Sequence, residues 1–163
     1  MLDDHELAAG KLAALLARGA SRDLFDARQL LGEEVLDADK LRLAFVVYSG
    51  INRVDWRGVS SDAVTTTVTD VKQQLLPMLR HDVRPAPRDV EGWTRVLIEQ
   101  TRALLSAVLP LADRELAFLD RLNGQGEIEA SLLTTDTALQ RRITAHPGLQ
   151  WKALNVKKHA GNT

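Results

Sequence analysis

Residues 3–19 read DDHELAAGKLAALLARG, and this stretch decides the fold. Asp3 precedes Glu6 by three residues, the spacing of a capping box that starts a helix. Leucines at Leu7, Leu12 and Leu15 follow at helical spacing, and Gly19 is the kind of residue at which a helix ends. The stretch therefore predicts an amphipathic first helix. A second helix is predicted over 22–31, capped by Ser21 and ended by Gly32, so the chain opens with a helical hairpin.

Further helix signals follow along the chain, which makes the predicted fold mostly α, a helical bundle-like domain. Asp37 is expected to cap a third helix, and Trp56 to anchor the loop after it. The β-branched residues near 63–69 suggest one short extended segment. A further helix is predicted to begin at Asp70. Two longer helices are predicted over 90–109 and 113–122, and three short helical segments over 128–133, 136–145 and 149–159. The prolines in 81–88 predict a linker between helical regions 1–80 and 89–163.

The composition of the chain excludes several classes of protein function. The chain has 163 residues, 45% of them hydrophobic, with a net charge of −1 and no cysteine. Cysteine catalysis, disulfides and cysteine-bound zinc are excluded, and no apolar run suits a membrane span. The N-terminus lacks the pattern of a signal peptide, so we expect a cytoplasmic protein. Charge is uneven: residues 1–39 hold nine acids and four bases, whereas 136–163 hold five bases and one acid.

Lys11 is the most informative residue of the first hairpin. It lies four residues from both Leu7 and Leu15, on the flank of the apolar stripe, where a lysine either extends its ammonium into water or meets an anion. Asp23 and Asp26 share one face at the start of the second helix, close to the turn that leads back towards Lys11. A lysine and two carboxylates that converge suit phosphoryl or nucleotidyl transfer, while the structural alternative is that the acids only complement the helix dipole.

Other motifs are less specific. Asp37-Ala38-Asp39 has the form of a two-carboxylate metal site but sits at a helix start, where capping explains it, and Gly124-Gln125-Gly126 reads as a loop. The histidines have no ligand spacing, so no metal site is predicted. The run 146–159 combines Trp151 with three lysines, which is compatible with contact to a phosphate backbone or with the dipole at a helix C-terminus.

Two of these motifs carry a resemblance. Residues 6–18, ELAAGKLAALLAR, and Arg22-Asp23-Leu24-Phe25-Asp26 resemble the lysine helix and the Arg-Asp-Leu-Tyr-Asp motif of the AbiEii/AbiGii nucleotidyltransferase toxins of type IV toxin–antitoxin and abortive-infection systems. The likeness continues to the closing HPGLQWKALN of 146–155, so it spans nearly the whole chain. Between these motifs, four further segments contribute to the resemblance: 55–57, 75–80, 91–93 and 118–119.

The resemblance implies an assignment of roles. Lys11 would hold nucleotide phosphates, and Asp23 would orient Lys11 or an attacking hydroxyl, both as catalytic residues. Arg22 and Asp26 would support Lys11 in nucleotide binding. The implied co-substrates are a nucleoside triphosphate and Mg²⁺, the acceptor an RNA such as tRNA, and the partner a cognate antitoxin that neutralises without a stable complex.

The chain departs from the family in one respect. Full-length members carry a Gly-rich turn and an Asp-x-Asp metal pair in an α/β core ahead of the lysine helix, whereas Asp37-x-Asp39 comes after it. We therefore expect a truncated enzyme, the C-terminal helical half with the nucleotidyltransferase core absent, and no activity in the isolated chain. The alternatives are a non-catalytic helical module that binds a partner protein or RNA through its basic C-terminal face, and an inert remnant.

Overall fold

The computed structural model describes residues 3–33 and 36–161. Over these ranges it contains eight α-helices and no strand, which confirms the mostly helical prediction. The helices are α1 (Asp4–Arg18), α2 (Ser21–Glu33), α3 (Ala38–Ile51), α4 (Val68–Asp70), α5 (Val90–Leu105), α6 (Asp113–Gln125), α7 (Thr137–Thr144) and α8 (Pro147–Ala160). Among them, none is both long and apolar enough to cross a membrane.

The ends of α1 follow its local sequence. The Asp3 carboxylate accepts hydrogen bonds from the backbone N–H groups of His5 and Glu6, and the Glu6 carboxylate accepts one from the N–H of Asp3. At the other end Gly19 adopts a left-handed conformation with φ 66°, and its N–H donates to the carbonyl of Leu15. The predicted capping box and the predicted glycine stop are both confirmed.

The bounds of α2 differ from the prediction. The helix begins at Ser21 itself, so Ser21 is not the residue before the helix, and Gly32 lies inside the last turn instead of ending it. The backbone N–H of Ser21 donates to Asp70 Oδ2 at 3.2 Å, across 49 residues of chain. A distant carboxylate thus satisfies the first turn of α2, where a local cap was expected.

The segment between α3 and α5 is irregular. Asp37 caps α3 as predicted, and Trp56 is 3% exposed with its indole N–H donating to the carbonyl of Ser49 at 2.8 Å, so the loop is anchored as expected. Val64 and Thr67 have extended backbones, but no strand forms there and α4 begins at Val68. The helix continues as a π-helical turn over Val71–Leu75 and a 3₁₀ turn over Leu76–Met78.

The helices before and after 81–88 share one core. Helix α2 packs against α5, and α3 packs against α6 and α8. Large side chains buried in that shared core are Leu12, Leu15, Leu24, Phe45, Leu97, Leu105, Phe118, Leu122 and Leu149. The segment predicted as a linker therefore joins two sets of helices that pack directly on each other. The outermost ends of regions 1–80 and 89–163 fall outside the described residues.

Two later helices end at other residues than predicted. Helix α5 ends at Leu105 rather than 109, because the chain turns at Ser106, whose hydroxyl donates to the carbonyl of Ala103. Helix α6 continues beyond Asn123 and Gly124 to Gln125, and it ends at Gly126 with φ 66°. A Cβ at Gly126 would lie 2.6 Å from the carbonyl oxygen of Ala153, so only glycine allows α6 to end this close to α8.

Candidate nucleotide site on the first hairpin

The helical hairpin brings Lys11 to the second motif. Lys11 Nζ lies 2.8 Å from Asp26 Oδ2, and the two side chains are 40% and 47% exposed. They meet because α1 and α2 pack side by side, with Lys11 on the flank of α1 that faces α2. The ammonium group of Lys11 is therefore paired with the solvent-accessible carboxylate of Asp26.

Asp23 has a different partner from the one expected. Its Oδ1 accepts a hydrogen bond from Arg18 Nη2 at 3.1 Å, and its side chain is only 12% exposed. The resemblance implied that Asp23 orients Lys11 or an attacking hydroxyl. In the structure Asp26 contacts Lys11, and Asp23 contacts Arg18. The hairpin thus carries two ion pairs, each with its base on α1 and its acid on α2.

Arg22 is exposed at the start of α2. It lies four residues before Asp26, so the two project from neighbouring positions on one helix face. No carboxylate within the described residues lies within ion-pair distance of Arg22. Its guanidinium is therefore available to an anion placed against α2.

Asp70 positions the start of α2, a role that no local sequence pattern indicates. Besides the backbone of Ser21, its Oδ2 accepts a hydrogen bond from the hydroxyl of Thr66 at 3.2 Å. Hydrogen bonding from Ser21, together with that from Thr66, holds the pKa of Asp70 below its usual value, against the opposing effect of partial burial. A charged Asp70 thus fixes the turn from which Arg22 and Asp23 project.

The cations of this hairpin suit an anion better than a metal. The hairpin carries three cations, Lys11, Arg18 and Arg22, and ammonium and guanidinium groups are the side chains that bind phosphate. Within residues 3–33 and 36–161, no group of three or more histidines, cysteines, aspartates or glutamates is placed to hold a metal ion. Asp23 and Asp26 each already face a base. The described residues therefore do not fit a Mg²⁺ site.

The other motifs have structural explanations. The Asp37 carboxylate accepts from the backbone N–H of Lys40 as the cap of α3, and this hydrogen bond lowers the pKa of Asp37. Gly124 lies in α6, and Gly126 ends that helix. Neither Asp37-x-Asp39 nor Gly124-x-Gly126 forms the metal pair or phosphate loop that its spacing suggests.

The C-terminal run forms α8 and divides into two faces. Lys152 Nζ donates to the carbonyl of Asn52 at 3.3 Å, and burial, with the nearby charge of Arg53, lowers the pKa of Lys152. Trp151 and Leu154, in contrast, are 56% and 57% exposed. One face of α8 therefore packs on the end of α3, and the opposite face is open to solvent.

Comparisons with known proteins do not add to this geometry. No protein-family model, no curated protein and no solved structure matches the chain.

Proposed function

We propose that the chain belongs to a nucleotidyltransferase toxin of the AbiEii/AbiGii type and that its first hairpin holds the phosphates of a nucleoside triphosphate. The observation that carries the proposal is the ion pair between Lys11 and Asp26. It joins the lysine helix to the Arg-Asp-x-x-Asp motif, the two sequence elements that resemble the family most. Because the packing of α1 on α2 would also bring an ordinary surface ion pair together, nucleotide titration has to separate the two cases.

The proposed roles follow from exposure. Lys11 binds phosphate oxygens when Asp26 releases it, and exposed Arg22 contacts the same anion from one turn away. Asp23 is nearly buried against Arg18, so it positions the hairpin rather than touching phosphate. Asp26 acts as an internal competitor that occupies Lys11 while no nucleotide is bound.

The proposed reaction is the transfer of a nucleoside monophosphate from a nucleoside triphosphate to a hydroxyl of an acceptor such as tRNA, with pyrophosphate as the leaving group. A cognate antitoxin is the proposed neutralising partner. In this reaction the described helices would contribute phosphate binding. We therefore expect the 163-residue chain to bind a nucleoside triphosphate.

Nucleotide titration of three proteins tests this proposal. Calorimetry with ATP, GTP, CTP and UTP should show binding to the wild-type chain and its loss in Lys11→Ala. Asp26→Asn removes the internal competitor and should tighten binding about two- to fivefold, since an exposed ion pair contributes up to about 1 kcal/mol. An inert surface pair predicts no change in either variant.

A matched control separates this site from general charge effects. Lys72→Ala removes one exposed lysine outside the hairpin and should leave nucleotide affinity unchanged. Equal losses in Lys11→Ala and Lys72→Ala would contradict a site on the hairpin. Absence of nucleotide binding in the wild type would overturn the proposal and leave the non-catalytic helical module as the better reading.

A further inference from the structure

The outer face of α8 has an unusual combination of exposed side chains. Leu149 and Ala153 are buried against the core, and at 100° per residue Trp151 and Lys158 lie on the opposite side of the helix. Leu154 lies beside Trp151 and is also more than half exposed. Burial of an indole is among the largest apolar gains that a binding surface can offer, so the exposed Trp151 makes this face a candidate binding surface.

The segment of sequence that contains Trp151 is basic. Residues 137–161 contain five arginines and lysines and no aspartate or glutamate. The nearest acid in sequence, Asp136, is occupied as the cap of α7, where it accepts from the N–H groups of Ala138 and Leu139. Over the described part of the chain, Arg142 is the one arginine or lysine of this segment within 4.0 Å of a carboxylate, that of Glu6 at 3.8 Å.

Three cations of α7 and α8 therefore face solvent without a carboxylate partner in the described residues: Arg141, Lys157 and Lys158. Arg141 lines a shallow groove between the two helices, together with Gln150, which immediately precedes Trp151. Lys158 lies on the same face of α8 as Trp151, about 10 Å further along the helix axis at 1.5 Å per residue. An exposed aromatic ring and an exposed cation thus share the outer face of α8, next in sequence to a groove that Arg141 lines.

We propose that this surface, formed by Arg141, Trp151, Leu154 and Lys158, binds a single-stranded nucleic acid. A base stacks on the indole of Trp151, and phosphates contact Lys158 on one side and Arg141 on the other. The separation of about 10 Å between Trp151 and Lys158 corresponds to about three nucleotides of a stacked strand at 3.4 Å each. Stacking on an aromatic ring combined with a basic track is the general mode of single-strand binding.

The exposed apolar area is too small for the other common partners. A stable protein interface buries roughly 1,200–2,000 Å² and centres on an apolar cluster, whereas this face offers two apolar side chains. A helix that lies in a membrane surface needs a broad apolar face, but Leu149 and Ala153 already pack in the core. A nucleic acid needs neither a large apolar interface nor a broad apolar helix face, because phosphate contacts and one stacked base supply its affinity.

This inference does not depend on the nucleotide site, because the two surfaces share no residue. Its test uses the full chain and a fluorescein-labelled oligouridine of about 12 nucleotides, with fluorescence anisotropy as the readout. Trp151→Ala should weaken binding about tenfold through loss of stacking. Lys158→Gln should reduce the slope of log affinity against log salt by about 0.7, the value for one lost phosphate contact.

Controls match each change in residue type and exposure. Met78→Ala removes an exposed apolar side chain, and Lys72→Gln removes an exposed lysine, both away from α8. Both should bind the oligonucleotide as the wild type does, and circular dichroism should show all four variants folded. Lys11→Ala should also bind it normally, so failure of the nucleotide proposal leaves this result unaffected.

Three outcomes would overturn the inference. The first is no anisotropy change with wild-type chain at about 50 mM salt, where phosphate contacts are strongest. The second is equal affinity of wild type and Trp151→Ala. The third is equal affinity for a duplex of the same length, because paired bases offer no face to the indole. Binding to phosphatidylserine vesicles without binding to the oligonucleotide would identify a membrane surface instead.

Discussion

The guanidinium of Arg42 and the carboxylate of Glu115 form a two-point ion pair, with Nε 2.7 Å from Oε1 and Nη2 2.8 Å from Oε2. Glu115 is buried, and its Oε2 also accepts from the backbone N–H of Ala112. Arg42 Nη2 donates in addition to the carbonyl of Pro110, and hydrogen bonding to Glu115 raises the pKa of Arg42. The pair therefore connects α3 to the start of α6, across the two predicted regions.

Removing the acid of this pair should destabilise the fold strongly. Glu115→Gln should lower the free energy of unfolding by about 3 kcal/mol, because it leaves the partly buried Arg42 guanidinium without a counter-charge. Urea denaturation measures the change. The double variant Arg42→Met, Glu115→Leu should recover most of the loss, since neither charge is then left alone. A double variant that loses the sum of both single changes would show that the two side chains act independently.

Sequence reasoning located the ends of α1 and the cap of α3 because these depend on neighbouring residues such as Asp3, Gly19 and Asp37. It missed the Arg42–Glu115 pair and the contact of Asp70 with the start of α2. Both join residues far apart in sequence, and their geometry depends on how the helices pack. Local patterns contain no information on such distances.

For the candidate site, too, the sequence predicted the local features but not those that depend on helix packing. The hairpin and the meeting of Lys11 with the second motif follow from helix spacing and a short turn. Which aspartate faces Lys11 depends on the rotation of α2 about its axis, and successive residues differ by 100°. Contacts with α5 set that rotation, through Phe25 and Trp93, whose ring centroids lie 6.3 Å apart.

Loss of the Lys11–Asp26 pair should barely affect stability. Both side chains are about half exposed, so Lys11→Ala should change the free energy of unfolding by less than about 1 kcal/mol. Thermal unfolding followed by circular dichroism checks this. A small change would mean that lost nucleotide binding in this variant reports on binding and not on folding. A loss above about 2 kcal/mol would instead assign Lys11 a structural role.

The hydrogen bonds of Asp70 predict a pH dependence of stability. The folded state lowers the pKa of Asp70, so its charge stabilises the fold above the unfolded value of about 4, and this contribution is lost as the pH falls through the folded pKa. Asp70→Asn should therefore lower the urea midpoint at pH 7 and flatten its fall between about pH 5 and pH 3.

The control for this prediction is Asp62→Asn, which removes an exposed aspartate from the same irregular segment. It should follow the wild-type pH profile closely. Identical profiles for wild type and Asp70→Asn would show that Asp70 does not stabilise the start of α2 through its charge.

Among the described residues, two glycines have a left-handed backbone, Gly19 and Gly126. The close approach of α6 to α8 should make Gly126 the harder of the two to replace. At both Gly19 and Gly126 φ is 66°, and an alanine there costs about 1–2 kcal/mol from backbone strain alone. At Gly19 the added methyl group meets open space, whereas at Gly126 it would lie 2.6 Å from the carbonyl oxygen of Ala153. That clash adds about 1–3 kcal/mol of overpacking.

Gly126→Ala should accordingly lower the free energy of unfolding by about 2–5 kcal/mol, and Gly19→Ala by about 1–2 kcal/mol. Gly124→Ala should raise it by about 0.5 kcal/mol, because Gly124 lies within α6 with nothing near its added methyl group. Urea denaturation of the three variants measures this order. If Gly126→Ala and Gly19→Ala cost the same, α8 does not pack against the end of α6 as closely as the structure has it, and the outer face of α8 would lose its fixed orientation.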